Sequence, residues 1–236
     1  MLEAIVTGGA TGIGKACVES LIERDTKVHL IYHTSEKEAI AYENRSDVQL
    51  HKVDVTSEIQ VIDFFNQIGS FDILINNAGG NISFATTESY STDDWKLTFD
   101  LNTLSVFLMC KYGIPLIRDG GKIINITSIS AKSGGAPGGM AYAASKAAVD
   151  CMTKSLAREL ASRNICVNAI SPGIVWTKQH EKFSSKEYYD SLIEKIPLGR
   201  DGSTRDISNL AKFLSSSESS YITGQTIEIN GGMLMK

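Results

Sequence analysis

The sequence predicts an α/β protein built on a doubly wound parallel sheet with helices on both faces. Three observations predict it. Short apolar runs alternate with longer stretches of helical spacing from one end to the other, the pattern of repeated strand–helix units. The first apolar run, Ala4 to Thr7, breaks into a glycine-rich turn that opens directly into a helical pattern. Small polar residues stand where later apolar runs stop, at Asn76, Asn77 and Ser128, and that edge of an open parallel sheet is where ligands bind.

Size and composition bound the rest. The 236 residues, 42% hydrophobic and 21% charged, suit a single large domain over residues 1–236 with ample material for a core. A net charge of −4 without any basic run argues against nucleic acid as a partner. Met1-Leu2-Glu3 runs straight into the first strand pattern and no apolar run has the length of a membrane span. Neither a leader nor a membrane association is expected, and a cytoplasmic location is. The four cysteines, Cys17, Cys110, Cys151 and Cys166, are far apart in apolar or helical contexts and are expected as buried, reduced thiols. The four histidines are scattered, so no metal site is expected.

The elements follow in order. After Ala4–Thr7, the turn Gly8-Gly-Ala-Thr-Gly12-Ile-Gly14 leads into a helical pattern from Lys15 to Arg24. Glycines allow close approach to a pyrophosphate, and the helix N-terminus adds unpaired N–H groups and a positive dipole end. Val28 to Tyr32 is the second strand, followed by His33-Thr-Ser-Glu-Lys37. In a doubly wound sheet this strand end meets the adenosine ribose. An acidic residue there suits NAD, and its absence leaves room for the extra phosphate of NADP. Tyr32 and His33 occupy the place, with Thr34, Ser35 and Lys37 close behind, which favours NADP; the absence of an arginine weakens this without favouring NAD, which stays the alternative.

Val48 to Val53 is the third strand, ending in Asp54-Val55, and Ser57 is placed to cap the helix through Ile68,. Phe71 to Ile75 is the fourth, closing in Asn76-Asn-Ala-Gly79; the asparagines need partners at a buried strand end and could simply tie neighbouring strands together,. Asp93 to Gly113 reads as one long helix with Asn102 among apolar neighbours, where a polar side chain is costly unless satisfied or used,. Gly121 to Thr127 is the fifth strand, with Ser128 at its C-terminal end, and Ser130 to Gly139 reads as a loop,. Met140 to Arg163 is a helix, Ile165 to Ser171 the sixth strand, and Pro172-Gly173 its stop. Residues 176–195 suit either a substrate lid or a surface helical hairpin. The chain ends with a helix, Asp206 to Leu214, and a strand near Thr226 to Ile229.

The long helix carries Tyr142-Ala-Ala-Ser-Lys146 near its start. Residues four apart share a helix face. An ammonium roughly 4 Å from a phenol, at an effective dielectric near 20, is worth about 4 kcal/mol. That predicts a tyrosine whose pKa is drawn down toward neutrality, where proton transfer works best.

Thr7-Gly-Gly-Ala-Thr-Gly-Ile-Gly14, Asp54-Val55, Asn76-Asn-Ala-Gly79, Asn102, Ser128, Tyr142-x-x-x-Lys146 and Pro172-Gly-Ile-Val-Trp-Thr177 occur in an order and spacing that resembles the short-chain dehydrogenase/reductase family. Pro197-Leu-Gly-Arg200, Tyr221-Ile-Thr-Gly-Gln225 and Asn230-Gly-Gly232 look like its bacterial carrier-protein-reductase branch. The resemblance implies a Rossmann-type sheet of seven strands in the order 3-2-1-4-5-6-7. It implies hydride transfer between a nicotinamide cofactor and a carbonyl, with Tyr142 as proton donor and Ser128 orienting the carbonyl oxygen. Lys146 would bind the nicotinamide ribose and lower the tyrosine pKa, and Asn102 would hold a water linking Lys146 to solvent. Gly8, Thr11, Gly12, Ile13 and Gly14 would cradle the pyrophosphate, and Asp54 with Val55 would meet the adenine. Asn77, Ala78 and Gly79 would line the middle, with Pro172, Ile174 and Thr177 at the carboxamide. Ser128 precedes Tyr142 by one position more than in many relatives, so Ser130 competes for its role; Ser128 is preferred because it directly follows the strand.

The resemblance further implies a homo-oligomer, tetramer or dimer, and a small carbonyl or alcohol substrate, with a carrier-protein or CoA thioester among the candidates. Reduction of a ketone or 3-oxoacyl group with NADPH is the leading expectation. Oxidation of a sugar, steroid or other secondary alcohol is the second. A nucleotide-sensing regulator without catalysis is a third, disfavoured by the complete set Asn102, Ser128, Tyr142 and Lys146.

Overall fold

The computed structural model describes residues 1–177 and 185–235. Seven parallel strands form one sheet in the order β3-β2-β1-β4-β5-β6-β7, as the resemblance implies. They are β1 (Glu3–Thr7), β2 (Lys27–Tyr32), β3 (Val48–Lys52), β4 (Phe71–Asn76), β5 (Ile117–Ile126), β6 (Cys166–Pro172) and β7 (Thr226–Ile229). The inner strands are continuous apolar runs because both faces of the sheet are covered. Successive residues point to opposite faces, so Val6 and Ile75 enter one core while Ile5 and Leu74 enter the other,.

The first core is closed by α1 (Gly12–Ile22) and a late helix, Thr204–Leu214, through Val18, Leu21, Ile207 and Leu214. The second is closed by α3 (Glu58–Gln67), by Ser105–Gly113 and by the long helix Met140–Glu159, through Val61, Phe64, Met109 and Val149. A four-residue helix, α2 (Glu36–Ala39), follows β2. The remaining helices are α4 (Thr92–Phe99), α5 (Ser105–Gly113), α6 (Ser130–Ser133), α7 (Met140–Glu159), α8 (Lys186–Ile193) and α9 (Thr204–Leu214).

Several local expectations are corrected. The helix after the glycine turn begins at Gly12 rather than Lys15, so the last glycines belong to its first turn. The expected single helix from Asp93 to Gly113 is interrupted by a π-helical turn, Asp100–Leu104, centred on Asn102; a wide turn of this kind is rare and recurs at functional sites. Ser57 stands at the start of α3 in extended conformation, but its side chain makes no capping bond. Side-chain caps occur instead at Ser91 and Ser185, before α4 and α8, and at α9, where Ser203 and Asp206 form a reciprocal capping box, worth about 1 kcal/mol. The stretch Ser130 to Gly139 is not all loop, since α6 occupies its first turn. Cys17, Cys110 and Cys166 are buried as expected, but Cys151 is exposed because α7 turns that position away from the sheet. Of the 176–195 segment, residues 178–184 lie outside the described residues, and α8 follows them. No described helix is long and apolar enough to cross a membrane.

A histidine pair near the outer strands makes stability sensitive to acid. His29 Nδ1 and His51 Nε2 are 3.0 Å apart, and the His51 ring meets Phe64 edge-on at 4.9 Å. Burial, and then the His29 charge, pull His51 down to about 4; burial also lowers His29, against the raising effect of Glu3. The unfolded chain therefore binds the proton more readily between pH 6.5 and 4, and stability is lost as pH falls through that window. A shift of this size is worth roughly 3 kcal/mol. Urea unfolding at pH 7 and pH 4.5 should give a drop in ΔG that His51→Gln reduces by at least half. An undiminished drop in that variant removes the pair as its source.

Candidate active site

The parallel registers Thr7↔Ile31, Asn76↔Asn125 and Ile126↔Ile170 bring the C-terminal ends of the strands to one edge. A cavity of about 930 Å³ opens along it, at the upper end of the range for small-molecule sites, roughly 300–1,000 Å³.

At the first strand end the glycine turn is fastened to the neighbouring strand. Thr7 Oγ1 accepts from the Asn77 and Ala78 amides at 2.9 and 3.0 Å, and Asn77 Nδ2 donates to the carbonyls of Thr7 (3.0 Å) and Gly8 (3.2 Å). Asn76 donates to Asn125 Oδ1 at 2.9 Å, and Asn125 in turn to Thr153 Oγ1 at 2.9 Å. Both asparagines are thus strand ties, and Asn77, Ala78 and Gly79 also line the cavity. So do Gly8, Thr11, Gly12 and Ile13. Gly14 does not. A Cβ there would lie 2.2 Å from the Gly8 carbonyl oxygen and 2.4 Å from Asn77 Nδ2. It is a packing glycine that lets α1 rest on the turn, which corrects its expected place in the cradle.

Beyond the turn, His33 and Thr34 line the wall with Tyr32 and Ser35, facing Asp54 and Val55 from the end of β3. Glu36, the first residue of α2, is ion-paired with Lys52 at 2.9 Å. Asp54 is partly buried, which pushes its pKa up, but hydrogen bonds from the Thr56 hydroxyl and amide and the His33 charge outweigh this and hold it low. Its Oδ1 accepts from Thr56 N at 2.9 Å and Thr56 Oγ1 at 2.7 Å. At the far end Pro172, Ile174 and Thr177 line the cavity, and Gly173 is fixed against β7 by its amide bond to Ile229 O at 3.0 Å.

Ser128, Tyr142 and Lys146 meet in the middle. The Ser128 hydroxyl stands by the phenol of Tyr142, where it opposes the rise in the phenol's pKa, and accepts from the Ser130 amide at 3.1 Å. Ser130 therefore supports Ser128, and Ser128 is the phenol's partner. Lys146, 3% exposed, donates from Nζ to the Ile126 carbonyl at 2.9 Å and lies 5.8 Å from the Tyr142 ring centroid. Gly79 permits this reach, since a Cβ at that position would stand 2.8 Å from Lys146 Nζ and 2.7 Å from Asn102 Oδ1.

The electrostatics depart from the expectation. Burial pushes Tyr142 up to about 12, with Ser128 opposing; burial pulls Lys146 down to about 8, with the Asp150 carboxylate opposing. The ammonium is turned to a backbone carbonyl rather than to the phenol oxygen, so desolvation of both groups outweighs their attraction. Over the neutral range the phenol is protonated, the form of a proton donor. Asn102 is bonded to backbone. Its Nδ2 donates to Gly80 O (2.9 Å) and Thr98 O (2.8 Å), and its Oδ1 accepts from Gly80 N (2.9 Å). The fully buried side chain clamps the Gly80 and Thr98 backbone, and its Oδ1 keeps a second lone pair.

The wall beyond Tyr142 is built by Asn81, Phe84, Ala136, Pro137, Tyr188, Leu192 and Met233; Tyr188 and Leu192 fall in the segment expected over the substrate, and sequence reasoning missed Ala136, Pro137 and Met233. The wall comes from four distant segments, and no spacing links them. Tyr189 anchors α8 by its hydroxyl bond to Asp201 Oδ2 at 2.7 Å and by edge contact with Trp176 at 4.4 Å. Among the described residues no cluster of metal-ligating side chains occurs.

A doubly wound parallel sheet with a glycine-turn cleft and a Ser–Tyr–Lys cluster at its switch edge defines a dinucleotide-dependent oxidoreductase. The chain belongs to the short-chain dehydrogenase/reductase family. The sequence model of a family described as Enoyl-(Acyl carrier protein) reductase matches residues 8–234. A 3-oxoacyl-[acyl-carrier-protein] reductase FabG of Staphylococcus aureus (strain Mu50) is 36% identical, covering 98% of each chain. The FabG of Rickettsia bellii is also 36% identical, over 98% of this chain and 96% of that one. Among solved structures, a short-chain dehydrogenase/reductase from Serratia marcescens superposes with a TM-score of 0.91 at 32% identity, covering 98% and 97% of the two chains. A blue fluorescent protein from a metagenomic library, in complex with NADPH, gives 0.92 at 30% identity, covering 99% and 98%. The protein is an oxidoreductase that acts on a CH–OH or ketone group with NAD(P).

Proposed function

We propose that this enzyme reduces a ketone or 3-oxoacyl group to a secondary alcohol with NADPH, Tyr142 serving as the general acid. The observation that carries the reading is the placement of Ser128, Tyr142 and Lys146 on the same cavity as the glycine turn. The FabG names of its relatives support a 3-oxoacyl thioester, on carrier protein or CoA, as the substrate class. The whole chain acts as one NAD(P)-binding domain in the cytoplasm, with residues 176–195 as its substrate lid.

The residues fit a dinucleotide. The cavity runs from the Tyr32–Ser35 wall past the glycine turn to Tyr142, and Gly79 leaves the space that an added Cβ would fill. Gly8, Thr11, Gly12 and Ile13 would hold the pyrophosphate with backbone N–H groups, and Asp54 and Val55 the adenine. Asn77, Ala78 and Gly79 would bound the middle. Pro172, Ile174 and Thr177 would hold the carboxamide. When bound, the reduced nicotinamide supplies the hydride. Lys146 would bind the adjoining ribose hydroxyls, and Asn102 would keep the Gly79–Gly80 backbone from closing on it. Ser128 would orient the carbonyl oxygen, and Tyr142 would deliver its proton there as negative charge develops. His33, Thr34 and Ser35 would receive the 2′-phosphate, a preference supported by the ion pair that draws Glu36 to Lys52. Exposed Leu97, Leu104 and Phe107 on the α4–α5 face, 52%, 36% and 49% exposed, support assembly into a homo-oligomer, dimer or tetramer.

The test is oxidation of NADPH and NADH, followed at the nicotinamide absorbance, against acetoacetyl-CoA, a 3-oxoester, simple ketones and a sugar ketone. Turnover should be highest on the 3-oxoacyl compounds, with kcat/KM at least about tenfold higher for NADPH, as one or two phosphate contacts supply. A preference for NADH overturns the cofactor assignment. Turnover of the sugar or simple ketones alone overturns the substrate class.

A further inference from the structure

We propose that Asp150 is a positioning residue that holds Lys146 in its charged form, through a buried carboxylate network anchored on the last strand. The residue stands four positions after Lys146 on α7, on the same face,. Both are buried, Asp150 at 8% exposure and Lys146 at 3%. A buried carboxylate away from any known contact with substrate is costly unless it is held and paired.

It is held. Its Oδ1 accepts from Thr226 Oγ1 on β7 at 3.1 Å, and the Thr127 hydroxyl, which also reaches Ile170 O at 3.1 Å, stands against it from the end of β5. Behind it, Lys132 of α6 pairs with Glu228 of β7. Glu228 Oε2 accepts from Ser171 Oγ at 2.7 Å and from Asn230 Nδ2 at 3.4 Å. Charge therefore alternates inward from β7: Glu228, Lys132, Asp150, Lys146. Burial raises the Asp150 pKa above the usual carboxylate range, with Glu228 adding to the rise, and Thr226, Thr127 and the Lys132 charge oppose it.

Among the described residues, the other groups facing Lys146 carry no charge that could replace Asp150. They are the phenol of Tyr142 on α7, the Ile126 carbonyl of β5, the Gly79 backbone after β4 and the neutral amide of Asn102. Desolvation alone drives a buried ammonium toward its neutral form. The carboxylate, one helical turn away, opposes that drive, while the ammonium itself donates to the Ile126 carbonyl. Thr226 fixes the carboxylate to the sheet, so the charge state of the site is tied to the docking of α7 on β7.

The inference rests on the reading of Lys146 as the cationic partner of Tyr142, and its test reads the lysine directly. The full chain is labelled with ¹³C-lysine, the Lys146 signal is assigned as the one missing in Lys146→Arg, and its titration is followed from pH 6 to 11. Asp150→Asn removes the charge and keeps the shape; Thr226→Val keeps the charge and frees the carboxylate. Lys146 should titrate at least about half a pH unit lower in Asp150→Asn, and lower by a smaller amount in Thr226→Val. The alkaline limb of kcat in the reductive direction should move acidwards with it. An unchanged Lys146 titration in Asp150→Asn, or in Thr226→Val should the first variant not fold, overturns the proposal. A purely structural role would lower Tm and leave the titration in place. If Lys146→Met keeps turnover while the shift is present, the catalytic reading of the lysine fails and the electrostatic inference stands.

Discussion

Replacing Tyr142 with phenylalanine is expected to lower kcat by at least about 10³-fold, within the range that loss of a general acid produces, while the cofactor dissociation constant stays within about twofold. The variant removes one oxygen from a site otherwise unchanged. Phe preserves the ring against Lys146 Nζ, 5.8 Å from its centroid, and Lys146 keeps its bond to Ile126 O. The hydroxyl of Ser128 loses its phenol partner but keeps the Ser130 amide. Since burial pushes the phenol up to about 12, the parent holds its proton throughout the neutral range, which suits reduction, where the group donates. Single-turnover measurement with saturating cofactor separates chemistry from binding. A kcat within tenfold of the parent would falsify the role of Tyr142 as acid.

Gly14→Ala should be the most damaging small substitution outside the catalytic cluster. An alanine in a helix ordinarily stabilises by up to about 1 kcal/mol over glycine. Here the added methyl would meet the Gly8 carbonyl oxygen at 2.2 Å and Asn77 Nδ2 at 2.4 Å, and neither neighbour is a flexible chain end. Gly8 belongs to the turn itself. Asn77 Nδ2 is committed to the carbonyls of Thr7 and Gly8. Either α1 lifts from the turn or the tie between β1 and β4 breaks. Overpacking of this kind costs about 1–3 kcal/mol and sometimes more, so a net loss of roughly 3 kcal/mol is expected. For a chain of this size that lowers Tm by about 6–12 °C. Binding of NADPH should weaken at least about tenfold, because the backbone N–H groups no longer converge. Gly69→Ala, with nothing within 4 Å of its added Cβ, is the matched control. A Gly14→Ala variant as stable as that control would show that the turn adapts freely.

The site was legible where one residue type has few reasons to stand at its position. The glycine turn, Asp54-Val55, Ser128, Tyr142 and Lys146 were assigned from sequence, and the fold brings them to one cavity. What failed were inferences about interactions. The Tyr142–Lys146 pair was expected to attract across a short gap, but spacing along a helix fixes only a shared face. It does not fix where a four-carbon chain directs its ammonium, and the Ile126 carbonyl claims it. Asn102 read as a holder of water through the family resemblance, whereas its place in an apolar helix said only that it is satisfied or used. Its use is the backbone of Gly80 and Thr98, across a π-helical turn that periodicity cannot reveal, since one extra residue per turn leaves no mark in an apolar pattern. Cys151 read as buried because its neighbours are apolar, whereas the face that α7 presents to the sheet passes through Val149, Asp150 and Thr153.

By itself, the sequence determined the strand order through family resemblance, the candidate reacting side chains and the strand edge on which they gather. These rest on local chemistry: a turn that needs glycine, a helix period, a polar residue ending an apolar run. Only the tertiary structure decided how the groups act on one another. Desolvation, and not proximity along the helix, sets the protonation of Tyr142 and Lys146, and desolvation is a property of everything packed around them. The same holds for Asp150, which is one more acid on a helix until β7 supplies Thr226 and β5 supplies Thr127, 76 residues on and 23 residues back along the chain.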